Sequence, residues 1–189
     1  MRILKVVDKH YISISKIPIK GTIYDTVDYF RDKKPIINIY ETKPEKVLLR
    51  DIINLHNNDG IQSLSQIKTM IKDIESGNHI FKHKLPNVKI VKTNKNEVIL
   101  FDGHHSMLAC IATGKKNLDE IPHIVVENED GYVTDKEIEV FFGKHKIEDW
   151  RNFTINWQNP DEKQLCGRMQ KNMGQLFDAV KDQLTGTAS

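Results

Sequence analysis

Cysteine is almost missing from this sequence: the 189 residues contain two, Cys110 and Cys166. Two thiols are too few for the disulfide framework of a small secreted domain, and the surroundings of Cys110 read as the apolar face of a helix, which makes it a buried structural thiol. Long apolar runs are missing too. No stretch of about 18 apolar residues occurs, and residues 1–20 interrupt Ile and Val with Lys, Asp and His where a signal peptide needs a continuous apolar segment. The expectation is a soluble, cytoplasmic protein with no membrane partner. Strong net charge is also lacking: at +2 the chain as a whole is not an electrostatic nucleic-acid binder. Neither an internal repeat nor a low-complexity tract is present.

What charge there is lies unevenly. Residues 1–81 carry 13 basic and 10 acidic side chains, residues 82–116 carry 7 and 2, and residues 117–189 carry 8 and 14, which gives +3, +5 and −6. The middle segment is therefore the basic one. Such a field suits a phosphorylated ligand, and a solvated Lys-rich hairpin is the ordinary alternative. With 39% hydrophobic residues the chain can bury one core with an appended extension.

Read in order, Ile3–Val7 and Tyr11–Ile14 alternate like short strands, Tyr24–Arg31 reads as a helical turn or two, and Pro35–Tyr40 and Lys46–Arg50 read as strands about a turn at Lys43-Pro44-Glu45. Asn57-Asn58-Asp59-Gly60 is a loop. Ser63 then caps a helix whose apolar residues Leu64, Ile67, Ile71 and Ile74 fall at helical spacing, with Gly77 as its stop. Val88–Val91 and Val98–Phe101 flank Asn94-Lys95-Asn96 as a hairpin, and Ile121–Val126 is a further strand. Thr134 caps a short helix through Phe142, and Asn159-Pro160-Asp161 opens a helix to about Leu184, weakened by Gly167 and Gly174. That last helix has a Met-rich face for packing on the core or for a homodimer or partner contact.

The stretch that carries chemistry is Val98 to Gly114. Four apolar residues predict a buried strand, Asp102-Gly103 a tight turn, and Met107, Leu108, Ile111 and Ala112 a short helix stopped by Gly114. A helix start preceded by Asp102, Gly103, His104 and His105 favours an anion, and phosphate is the obvious one. Neighbouring His residues at a helix start diverge by about 100 degrees, so a shared zinc ion fits poorly. For phosphate, Gly103 removes a Cβ from the approach and each imidazole can donate a hydrogen bond. Asp102 would then sit close to the anion, which calls for Mg²⁺ on Asp102 or a proton taken by it from a hydroxyl. The ordinary alternative is a capping Asp followed by two turn histidines.

The run Val98-Ile99-Leu100-Phe101-Asp102-Gly103-His104-His105, followed by Ala109, Gly114 and the strand Ile121-Pro122-His123-Ile124-Val125, resembles the ParB/sulfiredoxin superfamily. The upstream helix Leu64–Ile74, Gly77 and the Val88 strand sit where that superfamily has a helix and a strand, so the resemblance spans roughly residues 47–126. It implies an α/β (α+β) fold, a mixed sheet with flanking helices over 47–127; the rest of the chain reads, from its own pattern, as a β-rich segment over 1–46, a mostly helical extension over 128–184 and a disordered tail over 185–189. Sulfiredoxins carry a catalytic Cys in this turn, where this chain has His104 and His105. Chromosome-partition ParB proteins have an arginine-rich turn and a following helix-turn-helix, and after Val126 this chain has no such pattern and turns acidic.

The Asp-Gly-His-His turn is instead similar to that of the free serine kinases. This implies a nucleotide-dependent phosphotransferase, using ATP or ADP with Mg²⁺ to phosphorylate a small hydroxyl-bearing molecule such as serine. In that reading Asp102 is catalytic and holds the metal. His104 and His105 hold phosphate and take part in catalysis, and Gly103, Ser106 and Lys115 help bind the nucleotide. The chain departs from those kinases at Ser106, where they carry Arg, and lacks their glutamate base before the first helix, for which Asp59 is the nearest carboxylate. A non-catalytic nucleotide-binding regulator accommodates both departures. A ParB-like DNA-binding or nuclease protein is the third reading, disfavoured by the acidic C-terminal third.

Overall fold

The computed structural model describes residues 12–15, 39–40, 46–54, 63–78, 80–82, 85–126, 132, 134 and 171–186. Its strands are β1 (Ile12–Ser15), β2 (Ile39–Tyr40), β3 (Ile53–Asn54), β4 (Phe81–Lys82), β5 (Leu85–Pro86), β6 (Lys89–Lys92), β7 (Val98–Asp102) and β8 (His123–Val126). Among the described residues three helices, α1 (Leu64–Glu75), α2 (His104–Ala112) and α3 (Met173–Thr185), accompany them. The fold class is mixed α/β.

The hairpin and the helix before it form where the pattern puts them. Ser63 Oγ accepts the Gln66 N–H at 3.2 Å and caps α1. Ile67 is fully buried, and Leu64, Ile71 and Ile74 pack half-buried beside it against the core. In the β6–β7 hairpin, the Thr93 N–H donates to the Glu97 carbonyl at 2.9 Å, and Asn96 takes the left-handed conformation its short polar side chain tolerates.

Four strands in the order β8-β6-β7-β3 form the centre of the sheet, and β1 and β2 extend it beyond β8. The β6–β7 pair is antiparallel, while β3–β7, β6–β8 and β1–β8 are parallel. β4 and β5 pair separately. Ile90, Val98, Leu100 and Val125 belong to the core shared with the helices. Alternate residues Val91, Ile99, Phe101 and Ile124 are equally buried, so both faces of the central strands are covered. This is why β7 reads as an unbroken apolar run. α2 is buried nearly all round, from Ser106 to Ile111, because it packs against both α1 and α3 as well as the shared core.

Two predicted elements take another form. Lys46–Arg50 is not a strand: Leu48 makes a single bridge to Asn117, and Leu49–Asp51 is a 3-10 turn. Leu49 and Ile52 are both fully buried, and a spacing of three suits a three-residue turn where a strand would send them to opposite faces. The C-terminal helix does not run unbroken from Asn159: Asn172 is extended and caps α3, its Oδ1 accepting the Gln175 N–H at 2.8 Å. Gly174, expected to weaken this helix, lies against Arg50, where an added Cβ would meet the Arg50 Cβ and carbonyl oxygen at 3.0 Å. Small size at 174 lets the first turn of α3 settle on the 3-10 turn, and Arg50 then reaches Asp178 at 2.7 Å. Met173, Leu176, Val180 and Leu184 face the core.

Of the residues expected in the tail, Thr185 ends α3, Gly186 follows in the left-handed conformation, and 187–189 lie outside the described residues. The predicted elements at Ile3–Val7, Tyr24–Arg31, Lys43–Glu45, Asn57–Gly60, 135–142 and 159–170 also lie outside them. No helix among the described residues is long and apolar enough to cross a membrane.

Candidate functional site

β7 delivers its last residue, Asp102, to the start of α2 through one glycine. Gly103 is the residue before the helix, at φ 91 and ψ 28. Its missing Cβ would lie 2.5 Å from the Asn87 carbonyl oxygen and 2.8 Å from Val88 Cα. The space a side chain would take is filled by this chain's own backbone, so the requirement for glycine comes from β-strand packing against the turn. The helical ladder of α2 begins with the Met107 N–H donating to the Gly103 carbonyl at 2.9 Å. The N–H groups of His104, His105 and Ser106 precede that ladder, at the electropositive end of the helix.

Both carboxylate oxygens of Asp102 are engaged. Oδ2 accepts from Lys89 Nζ at 2.8 Å, and Oδ1 accepts the Gly103 N–H at 3.0 Å. The Lys89 side chain is 4% exposed and the Asp102 side chain 26%, so the pair is buried at its cationic end and open at its anionic end. Lys89 Nζ also donates to the Asn87 carbonyl at 3.1 Å. An irregular register brings the pair together. Ile90 opposes Leu100, so unbroken pairing would set Lys89 against Phe101; the shift between Lys89 and Ile90 sets it against Asp102 instead.

The predicted site residues separate into those at the turn and those elsewhere. Asp102, Gly103, His104 and His105 are together at the β7–α2 junction. His104 is 2% exposed and His105 half-buried. Ser106 points into the protein at 1% exposure, where its hydroxyl accepts from Asn87 Nδ2 at 2.6 Å and donates to Met70 Sδ at 3.6 Å. It joins α2 to α1 and to the segment before β6. Lys115 follows the other end of α2, a nine-residue helix that by helical rise holds it about 13 Å or more from the turn. Asp59 lies outside the described residues. Among the described residues no group of three or more His, Cys, Asp or Glu is arranged to hold a metal ion.

Lys89 and Asn87 escaped the sequence reading. The available signal was a single lysine in an otherwise apolar strand, Val88-Lys89-Ile90-Val91. A cation there is either at an edge or paired, and only the hairpin register identifies the partner.

Cys110 lies in the middle of α2. Burial pushes its thiol up to about 12, against the opposing pull of the Lys115 charge. The thiolate is therefore absent at neutral pH. In a Cys166→Ser protein, a disulfide reagent at pH 8 is expected to label no thiol until denaturant unfolds the chain. Rapid labelling of the folded protein would contradict this. Near Lys115, Glu120 is also partly buried, which raises its carboxyl, but hydrogen bonds from Asn117 and from the Lys116 N–H, with the Lys115 charge, bring it below its ordinary value. Its role is the cap that orders the turn before β8.

No family model, curated protein or solved structure matches the chain.

Proposed function

We propose that the β7–α2 turn binds the phosphate of a nucleoside phosphate and that the protein is a phosphotransferase on a ParB/sulfiredoxin-like fold. The donor is ATP or ADP with Mg²⁺, and the acceptor is a small hydroxyl-bearing molecule such as free serine. The observation that carries this reading is the convergence of Asp102, His104, His105 and the first-turn N–H groups of α2 at one strand-to-helix junction. Phosphoryl transfer asks a protein mainly for positioning and charge stabilisation, which donors at a helix start can supply. In the transfer, the acceptor oxygen bonds to phosphorus as the bond to the nucleotide's bridging oxygen breaks, and the hydroxyl proton passes to a carboxylate, with Asp59 as the base suggested by sequence. His105 is the more exposed of the two imidazoles, and because its Nε2 is buried a phosphate oxygen would be met from its Nδ1 edge.

One observation favours a second reading, a nucleotide-binding regulator without catalysis. Ser106, where similar kinases carry Arg, spends its hydroxyl on Asn87 and Met70, so no bidentate clamp is available from that position. Incubation with ATP or ADP, Mg²⁺ and a pool of amino acids separates the two. Phosphate transfer is the expected result. Nucleotide-dependent thermal stabilisation without turnover would replace the enzyme by the regulator. If neither occurs, both fall, and DNA binding that weakens steeply with salt would then favour the ParB-like alternative.

A further inference from the structure

The turn has an electrostatic conflict: a carboxylate, Asp102, stands one glycine before an anion-favouring helix start. Asp102 Oδ1 is fixed on the Gly103 N–H, so the side chain cannot swing away without breaking that bond. A bare carboxylate there would repel phosphate. A bridging metal ion is one remedy, but Asp102 Oδ2 already holds the Lys89 ammonium at 2.8 Å.

The geometry points to Lys89 as a positioning residue that makes the turn neutral, so that a phosphate binds at the start of α2 without a metal ion on Asp102. This rests on the phosphate-binding reading of the turn. Three observations support it. Lys89 is buried, and its ammonium donates to the Asn87 carbonyl and to Asp102, so it is held inside the protein and not displayed to solvent. The register shift between Lys89 and Ile90 exchanges Phe101 for Asp102 as its cross-strand neighbour; bulges of this kind re-aim one side chain at the end of a ladder. Finally, Asp102 is the more exposed partner, so its charge would be the one an incoming anion meets.

Charge balance makes the test directional. Phosphate affinity is measured by calorimetry with inorganic phosphate and with ADP, in EDTA at constant ionic strength, for the wild type, Lys89→Met, Asp102→Asn and the double variant. The wild type is expected to bind in EDTA. Lys89→Met, which exposes an uncompensated carboxylate, is expected to bind at least tenfold more weakly. Asp102→Asn, which leaves the cation, should bind more tightly than wild type. The double variant should return to near wild-type affinity, and its neutral pair keeps the comparison valid if Lys89→Met is too unstable to assay. Wild-type affinity in Lys89→Met, weaker binding in Asp102→Asn, or a double variant as weak as Lys89→Met would each overturn the role of Lys89 while leaving the phosphate site standing. A wild type that binds only when Mg²⁺ is present overturns it as well. Absence of phosphate and nucleotide binding under every condition would instead remove the site itself.

Discussion

Gly103→Ala is expected to cost about 3 kcal/mol or more of folding stability, whereas Gly114→Ala costs about 1 kcal/mol. Both glycines have left-handed backbone, φ 91 and φ 85, so both substitutions incur the same conformational penalty. They differ in what surrounds them. Nothing lies within 4 Å of a Cβ at Gly114, while one at Gly103 would overlap the Asn87 carbonyl oxygen and Val88 Cα. Those atoms are backbone in the segment entering β6, fixed by the Ile124 N–H on the Val88 carbonyl at 2.9 Å and by the Asn87 N–H on the Ile80 carbonyl at 3.2 Å. Relief would require moving a central strand or the start of α2. Urea denaturation of the two variants gives the difference directly. Because a domain of this size is stabilised by about 5–15 kcal/mol in total, Gly103→Ala consumes a large share of it. Equal losses at the two positions would show that the close approach at Gly103 is relaxed in solution.

The second large effect is on turnover. Under the phosphotransferase reading, His105→Ala is expected to lower kcat/KM by about 10²–10³, the usual consequence of removing one donor to a developing oxyanion, with a small change in Tm. His104→Ala should behave differently. Its imidazole is 2% exposed within the packed start of α2, so truncation leaves a cavity and lowers stability by about 2 kcal/mol or more in addition to any loss of activity. Kinetics and thermal melts of the pair, run side by side, distinguish a contact with the ligand from support of the turn. If His105→Ala transfers phosphate at the wild-type rate, His105 is not a ligand for the phosphoryl group.

Much of the scaffold was readable locally. α1 follows from the spacing of Leu64, Ile67, Ile71 and Ile74 between Ser63 and Gly77, and the β6–β7 hairpin from two apolar runs about an Asn-Lys-Asn loop. The strand-to-helix turn at Asp102-Gly103 could be read in the same way, because caps, turns and periodicity are properties of a few neighbouring residues. The 3-10 turn at Leu49–Asp51 could not. Its conformation depends on the Leu49 N–H reaching the Lys116 carbonyl and the Leu118 N–H reaching that of Val47, partners about 70 residues away in sequence. The C-terminal helix was readable as a helix and not in its start, since Asn172 is a better cap than the pattern upstream of it suggested.

The candidate site divides in the same way. The sequence alone determined that a strand ends in Asp102, turns at Gly103 and starts a helix with two histidines, because those residues set the local backbone. Which of them lie open at the turn and which turn into the protein was decided only by the tertiary structure. Ser106 has the residue type of a phosphate contact, but it lies on the face of α2 that meets Met70 and Asn87. Lys115 carries the right charge at the wrong end of the helix. Lys89 had no apparent role until a one-residue shift in strand register exchanged Phe101 for Asp102 as its neighbour. Periodicity specifies that a residue faces inward; what it faces depends on strand register and on the packing of distant elements, and neither is encoded within a short window of sequence.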